Sequence, residues 1–301
     1  MPLRTGNPRF GVGLIELIAV IAILGLVGGM VGSTIVRQQR FHRHTAGVLN
    51  ARQGVRDAME VLSTDIRGAS VEDTVRFMAD SALELFAGIG TSVACRTIAA
   101  SSIALAAESP TASTLTSFIL NPDTGDIALI YRKDSAGSNG HRWERYRISS
   151  LTTRSGHPDC LAEGMGPGEG FALTVQSQIA PAVAPGTPVR FVRRGRYSLY
   201  RSSDSRWYLG YRRCNALGAS SCGAIQPISG PYRRYSPDKA RTGFLFEYFD
   251  ARGELLTAAA DPLSIARVDV SARADSERTP ARGSSDGAPQ FATGSIAIRN
   301  R

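Results

Sequence analysis

The sequence is poor in the residues on which most catalytic and metal sites depend. It has four histidines and four cysteines, and no two cysteines stand in the Cys-x-x-Cys spacing of a zinc site. A nucleophile elbow, a phosphate-binding glycine-lysine loop and a zinc-protease helix motif are also missing. An enzymatic function therefore has no positive support, and we predict a protein that is not an enzyme and has no cofactor and no metal site.

Lysine is nearly absent as well, since only Lys133 and Lys239 occur, so the net charge of +9 comes almost entirely from arginine. A pI near 9.8 suggests a nucleic-acid partner. Hydrophobic residues make up 43% and charged residues 20%, which excludes a wholly disordered chain. The length of 301 residues allows one large domain or two small ones.

A long uncharged stretch lies near the N-terminus. Residues 17–32 carry no charge, and the apolar character starts at Leu14 and continues to Val36. As a helix this segment would be about 34 Å long, enough to cross a hydrocarbon core of about 30 Å. It is longer than the apolar part of a signal peptide and no Ala-x-Ala-like cleavage site follows it. The pattern favours a retained transmembrane helix over a cleaved secretory signal.

One acid, Glu16, lies inside this apolar segment. An unpaired carboxylate in lipid is costly, so an intramembrane acid indicates a function and a partner. A short leader with Arg4 and Arg9 ends at Gly11, five residues before this glutamate.

Residues 9–17 resemble the processing site of type IV prepilins. The resemblance implies that a prepilin peptidase removes the leader, residues 1–11, by cutting between Gly11 and Val12, and then methylates the new amine. Glu16 becomes the fifth mature residue, where the family carries its glutamate. Its carboxylate would pair with the α-amine of Val12 on a neighbouring subunit during assembly. This sequence has Val12 in place of the usual Phe and Gly13 in place of the usual Thr.

The chain has no proline between Pro8 and Pro110, and an apolar stripe at helical spacing follows the membrane segment. The stripe consists of Val55, Met59, Leu62, Ile66 and Ala69. We predict one spine helix over residues 12–69, with residues 12–36 transmembrane and residues 37–69 amphipathic. Glycines 25, 28, 29 and 32 would allow close helix packing, or reflect the general frequency of glycine in membrane helices.

Basic residues flank the apolar segment on both sides. Arg4 and Arg9 precede it and Arg37, Arg40 and Arg43 follow it, so the charge bias does not set the orientation. The latter arginines, with His42 and His44, are interpreted as a collar that faces lipid headgroups. The resemblance to prepilins puts residues 37–301 outside the cytoplasm.

A narrower resemblance covers residues 51–69 and the C-terminal segments 244–253, 265–272 and 296–301. These resemble W-type minor pilins and J-type minor pseudopilins, which carry an expanded β-rich domain. The fold class implied is α+β and pilin-like, with a long N-terminal helix packed on a β-rich periplasmic domain over residues 70–301.

Alternating apolar residues and turn signals predict short strands after about residue 90. The candidate strands are residues 126–132, 142–148, 189–193, 197–201, 207–212, 244–250, 266–272 and 295–299. We predict a turn at Arg194 and Gly195, a connection at 164–170 and a mobile polar loop at 275–290.

Four cysteines follow the helix and allow three pairings. In an oxidising periplasm a local bond between Cys214 and Cys222 is favoured, which leaves Cys95 and Cys160 as the second pair. The alternative is that all four are buried free thiols.

Arginines alternate with aromatic residues over residues 190–235. Such a pattern would suit single-stranded DNA, but it also suits strands with a solvated arginine face and a packed aromatic face, which we favour. The acids of residues 121–126 resemble part of a calcium loop, and a plain Asx/Gly turn is the favoured interpretation there. His157 and Cys160 are close in sequence, which is not evidence of a catalytic pair.

The resemblance implies a minor type IV pilin that primes or tips a pilus filament. Its partners would be other minor and major pilins, prepilin peptidase and inner-membrane lipid. The protein would be single-pass in the inner membrane with its domain in the periplasm, and would later join a pilus at the cell surface. The alternatives are a type II secretion minor pseudopilin, a DNA-binding subunit of an uptake pilus and a membrane-anchored periplasmic enzyme.

Overall fold

The structure, a computed structural model, describes residues 13–69, 75–106, 116–133, 141–154, 170–214, 222–257, 260–274 and 290–298. One long helix, α1 (Leu14–Gly68), precedes all of the strands. The strands are β1 (Val75–Ala79), β2 (Ala82–Ala99), β3 (Ser102–Leu105), β4 (Ser117–Phe118), β5 (Ile127–Lys133), β6 (His141–Arg154), β7 (Gly170–Val175), β8 (Thr187–Arg201), β9 (Trp207–Arg213), β10 (Gln226–Tyr232), β11 (Phe244–Phe249), β12 (Arg267–Ala274) and β13 (Gln290–Ala297). The fold class is therefore α+β, as predicted.

Within the described residues, the buried positions of helix α1 all lie in its C-terminal third, which packs on the β-rich part. The predicted apolar stripe is buried from Ala51 onwards, and Leu62 and Ile66 are almost completely buried. The helix ends at Gly68, where Ala69 turns to extended backbone and its N–H bonds the carbonyl oxygen of Ile66. The stripe contacts strands of two different sheets, β10 on one side and β12 and β13 on the other.

Two long, paired strands, β2 and β8, lie at the centre of the larger sheet. They pair antiparallel from Ala82 opposite Ser198 to Ala94 opposite Thr187. At one end, β1 joins β2 while β9 and β10 extend from β8, which gives a five-stranded sheet beside α1. At the other end, β3, β7, β6 and β5 lead from β2 back to β8. Six strands thus close into a small barrel.

The two ends of β2 and β8 have separate hydrophobic cores. The barrel is filled by apolar side chains that include Ile103, Ile130, Leu173 and Phe191, all almost completely buried. The other core lies between α1, the five-stranded sheet and the strands β11 to β13. The barrel is therefore built by residues inserted between the first part of β2 and the last part of β8.

Close backbone contacts mark the boundary between the cores. The register of β2 against β8 shifts between Gly88 and Gly90. A Cβ atom on Gly88 would lie 3.1 Å from the carbonyl oxygen of Gly68, and one on Gly90 would lie 2.6 Å from the Phe118 ring. The barrel therefore begins directly beyond the C-terminal end of α1.

Strands β11, β12 and β13 form a second, antiparallel sheet. Every second residue of β12 is buried, including Val268 and Val270, as expected of a strand with one face on a core. This face packs against α1, where a Cβ on Gly294 would lie 3.4 Å from the Met59 sulfur.

The predicted turn at Arg194 and Gly195 is wrong, because β8 runs through both residues. Gly195 lies directly under the ring of Tyr211 from β9, and a Cβ there would overlap that ring. The glycine therefore serves close packing of neighbouring strands and not a chain reversal. The strands that begin at Val75 and Ala82 lie within the predicted β-rich domain of residues 70–301, but they start before residue 90, after which individual strands were predicted. Of the segments 164–170 and 275–290, all but the terminal residues Gly170 and Gln290 lie outside the described residues.

Candidate functional site

The N-terminal part of α1 projects away from the rest of the described protein. Every large apolar side chain from Leu14 to Val36 is between 46% and 82% exposed, and Ala51 is the first buried residue of the helix. We call residues 14–50 the projecting segment and residues 51–68 the packed segment. The projecting segment would be about 55 Å long. Within the described residues, this is one helix long and apolar enough to cross a membrane.

Glycines behave differently in the two segments. A Cβ atom added to Gly25, Gly28, Gly29 or Gly32 would enter open space, with nothing within 4 Å. In the packed segment a Cβ on Gly54 would lie 3.3 Å from the backbone nitrogen of Gly230. The packed glycine serves contact inside the chain, whereas the four projecting glycines make no such contact within the described residues.

Glu16 lies in the first turn of α1 and is exposed. The backbone N–H groups of Glu16 and Leu17 bond the carbonyl oxygen of Gly13, which starts the helix without a side-chain cap. Gly11 and Val12, the predicted cleavage site, lie outside the described residues. Among the described residues, the carboxylate is therefore exposed in the first turn of a helix whose neighbouring apolar side chains are exposed as well.

Several arginines of the arginine-rich region form ion pairs with buried acids. Glu84 on β2 is completely buried and binds Arg194 at 2.5 Å and Arg196 at 2.7 Å, both on β8. Removing one member of such a pair would leave an uncompensated buried charge. The role of Glu84 was not predicted from the sequence. The one sign of it is that an acid lies inside the apolar run of residues 82–89, where a charge would have to be paired.

Asp126 binds two further arginines at the boundary between the cores. Its carboxylate accepts from Arg193 at 2.7 Å and from Arg213 at 3.0 Å. Arg213 also bonds Asp123 and lowers the pKa of that carboxyl. Gly125 has a φ of +89°, as the favoured Asx/Gly turn requires, and the carboxylates that would bind calcium are occupied by guanidinium groups.

These ion pairs bear on the nucleic-acid interpretation. Arg193, Arg194, Arg196 and Arg213 all bind carboxylates. A guanidinium that binds a buried acid is not available to a phosphate, so they are structural cations. Arg190 is exposed but lies over the ring of Trp143, 4.6 Å from its centroid, which covers one face of the indole. The geometry of these residues fits an ion-paired arginine face better than a DNA site. Arg193 and Arg194 are only 15% and 12% exposed, so at these two positions the arginines bind acids and are not solvated as predicted.

Three of the four cysteines lie within the described residues, and all three are disulfide-bonded. Cys214 and Cys222 form a disulfide, the favoured local pair. Cys95 is also disulfide-bonded, and its predicted partner Cys160 lies outside the described residues. Glu84 lies close to Cys214 and Cys222, but sulfurs joined in a disulfide are not thiolate ligands for a metal.

The histidines do not form a cluster in the described part of the chain. His42 is exposed with its ring against Phe41, and Arg40 and Arg43 beside it are exposed as well. The side chains of His44 and His141 and the whole of His157 lie outside what the structure describes.

A hydrogen bond joins α1 to the sheet. The Tyr197 hydroxyl on β8 donates to the carboxylate of Asp65, and the Tyr197 ring packs on Tyr211. Burial raises the pKa of Asp65, and the bond from Tyr197 offsets part of that rise. Burial and the nearby Asp65 raise the pKa of Tyr197 in turn. This contact was not predicted either, because Asp65 lies beside the apolar stripe of α1, where an acid is expected to face solvent.

Comparison with protein-family models, with curated proteins and with solved structures finds no match to this chain. The function is therefore inferred from the chain itself, and the projecting segment is its most distinctive surface.

Proposed function

We propose that the protein is a minor type IV pilin, an assembly subunit that primes or tips a pilus filament. The observation that carries this proposal is the projecting segment, which has Glu16 in its first turn and large apolar side chains that are all exposed from Leu14 to Val36. The apolar part, residues 14–36, is about 34 Å long and would cross a hydrocarbon core, and the helix continues for about 20 Å beyond it before its first buried residue, Ala51. Bundling with the projecting segments of other subunits would bury the apolar part after the protein leaves the lipid.

Glu16 is the group on which recognition by other subunits would depend. After cleavage at Gly11, the chain would begin with the positive α-amine of Val12. Each group is costly in lipid, and pairing Glu16 of one subunit with the amine of another neutralises both. The open glycines of the projecting segment would let neighbouring helices approach closely.

The proposal includes a location and partners. The projecting segment would cross the inner membrane once, the β-rich part would lie in the periplasm, and the assembled protein would reach the cell surface. Major pilins and other minor pilins would be its partners, and prepilin peptidase would process it. The closely related role in a type II secretion pseudopilus would use the same surfaces.

N-terminal sequencing of the mature protein tests the proposal. In cells that contain a prepilin peptidase, we expect a chain that begins at N-methylated Val12, and a Gly11→Leu variant that stays uncut. An intact Met1 in the wild type, or a cut beyond residue 30, would overturn it.

A further inference from the structure

A group of cations lies where the apolar part of α1 ends. Arg37, Arg40 and Arg43 follow Val36 directly, and all three are exposed. No acid occurs between Glu16 and Asp57 in the sequence. Within the described residues no ion pair engages any of the three guanidinium groups.

The position of these arginines along the helix matches one layer of a bilayer. If residues 14–36 fill the hydrocarbon core, residues 37–43 extend about 9 Å beyond it. The headgroup region on each side is about 5–8 Å thick. The exposed ring of Phe41 lies in the same layer, where aromatic side chains favour the interface.

Two of the arginines also share a side of the helix with the packed stripe. At about 100° per residue, Arg40 is turned by about 20° and Arg37 by about 40° from Ala51. They lie about 17–21 Å from Ala51 along the axis. They therefore lie on the side of the helix on which the sheets pack further along, between Ala51 and the apolar segment.

The position of these three arginines is the reverse of the usual distribution of positive charge beside a membrane span. Arginine and lysine near a membrane span favour the cytoplasmic side, yet these three would lie on the side of the translocated domain. We propose that residues 37–43 bind the phosphate groups of anionic phospholipids, with Arg37 and Arg40 holding headgroups on the side of the helix that carries the domain. Planar guanidinium groups suit this role, because each can donate two hydrogen bonds to one phosphate. This inference rests on the membrane insertion that the proposed function includes.

The test uses the full chain in vesicles of equal parts phosphatidylcholine and phosphatidylglycerol. After gentle detergent extraction, native mass spectrometry gives the ratio of the two lipids retained on the protein. We expect the wild type to retain mainly phosphatidylglycerol, with a loss of preference of about fivefold for each arginine changed to Gln. The combined variant Arg37→Gln, Arg40→Gln, Arg43→Gln should show no preference.

A matched variant controls for net charge. Arg56, Arg67 and Arg252 are exposed and lie outside this group, so changing all three to Gln should leave the lipid preference intact. An unchanged preference in the first variant, or an equal loss in the control, would overturn the inference. Displacement of the lipid by millimolar inorganic phosphate at constant ionic strength would also overturn it, because the site would then select free anions.

Flotation of the same vesicles on a density gradient separates the two proposals. A wild-type chain that floats but retains both lipids equally contradicts only the lipid inference. A wild-type chain that does not float at all contradicts the membrane insertion, and with it the proposed function.

Discussion

The two segments of helix α1 have the same secondary structure and opposite surroundings. In the packed segment Leu62 is 0% exposed, whereas Leu24 in the projecting segment is 64% exposed. Both side chains are equally apolar, so the difference lies in what covers them. Other parts of this chain bury the packed segment. Lipid or other subunits could bury the apolar side chains of the projecting segment, which this chain leaves exposed.

This difference means that one segment of the helix serves the stability of the fold and the other is available for assembly. Burial of apolar area in the packed segment contributes to the folding of the β-rich part. The projecting segment contributes nothing to that core, so its sequence is free to serve a membrane and partner helices. Substitutions in the two segments should therefore affect different measurements.

The largest expected effect comes from truncating a buried leucine. Leu62→Ala should lower the free energy of unfolding by about 2–5 kcal/mol, because it leaves a cavity between α1 and the sheets. The matched change Leu24→Ala should alter it by less than about 0.5 kcal/mol. Urea denaturation of the full chain in detergent, followed by tryptophan fluorescence, measures both. Equal losses in the two variants would break the comparison.

Glycine substitutions give a smaller contrast. Gly54→Leu should cost about 1–3 kcal/mol, because the added side chain meets the backbone of Gly230. Gly28→Leu enters open space, so it should leave stability unchanged or raise it slightly through helix propensity. The same denaturation experiment compares them. A destabilising Gly28→Leu would mean that the projecting segment packs on its own domain.

The smallest effect concerns the pH dependence at Asp65. Burial raises the pKa of Asp65 in the folded state, so as the pH rises this carboxyl loses its proton in the unfolded chain before it does in the folded one. The folded state therefore loses stability between the unfolded and the folded pKa of Asp65. Asp65→Asn removes this loss and keeps an oxygen that accepts from Tyr197. We expect the variant to gain stability relative to the wild type between pH 4 and pH 7.

Other acids should cancel in that difference. Although partial burial acts in the opposite sense, hydrogen bonds from Tyr146, Arg142 and Arg132 lower the pKa of Glu144 to about 2. Its contribution to stability is lost progressively as the pH falls from about 4.5 to about 2, and it is the same in both proteins. A relative loss of stability for Asp65→Asn at pH 7 would contradict the assignment.

The helix was predictable because its signals are local. A proline-free apolar run and a stripe at helical spacing give an element at 12–69, and the structure has it at Leu14–Gly68. The aromatic strand β11 and the strand β12 were also predicted near their observed bounds, since alternation within a few residues marks a half-buried strand.

The barrel and its ion pairs were not predictable in the same way. Its closure depends on pairing between β2 and β8, strands that are far apart in the sequence. Glu84 and Arg194 meet only because of that register, so the sequence shows an acid and an arginine cluster without their relation. A glycine inside β8 was interpreted as a turn because its neighbour Tyr211 comes from another strand.

Co-assembly of a Glu16→Leu variant tests the central claim most directly. Glu60 is an exposed glutamate on the packed segment and supplies the matched control, Glu60→Leu. In cells that express the partner pilins, cross-linking and co-purification would measure incorporation of each variant into filaments. The account predicts that Glu16→Leu inserts into the membrane normally but is lost from filaments, while Glu60→Leu is incorporated like the wild type. Normal incorporation of Glu16→Leu would contradict it.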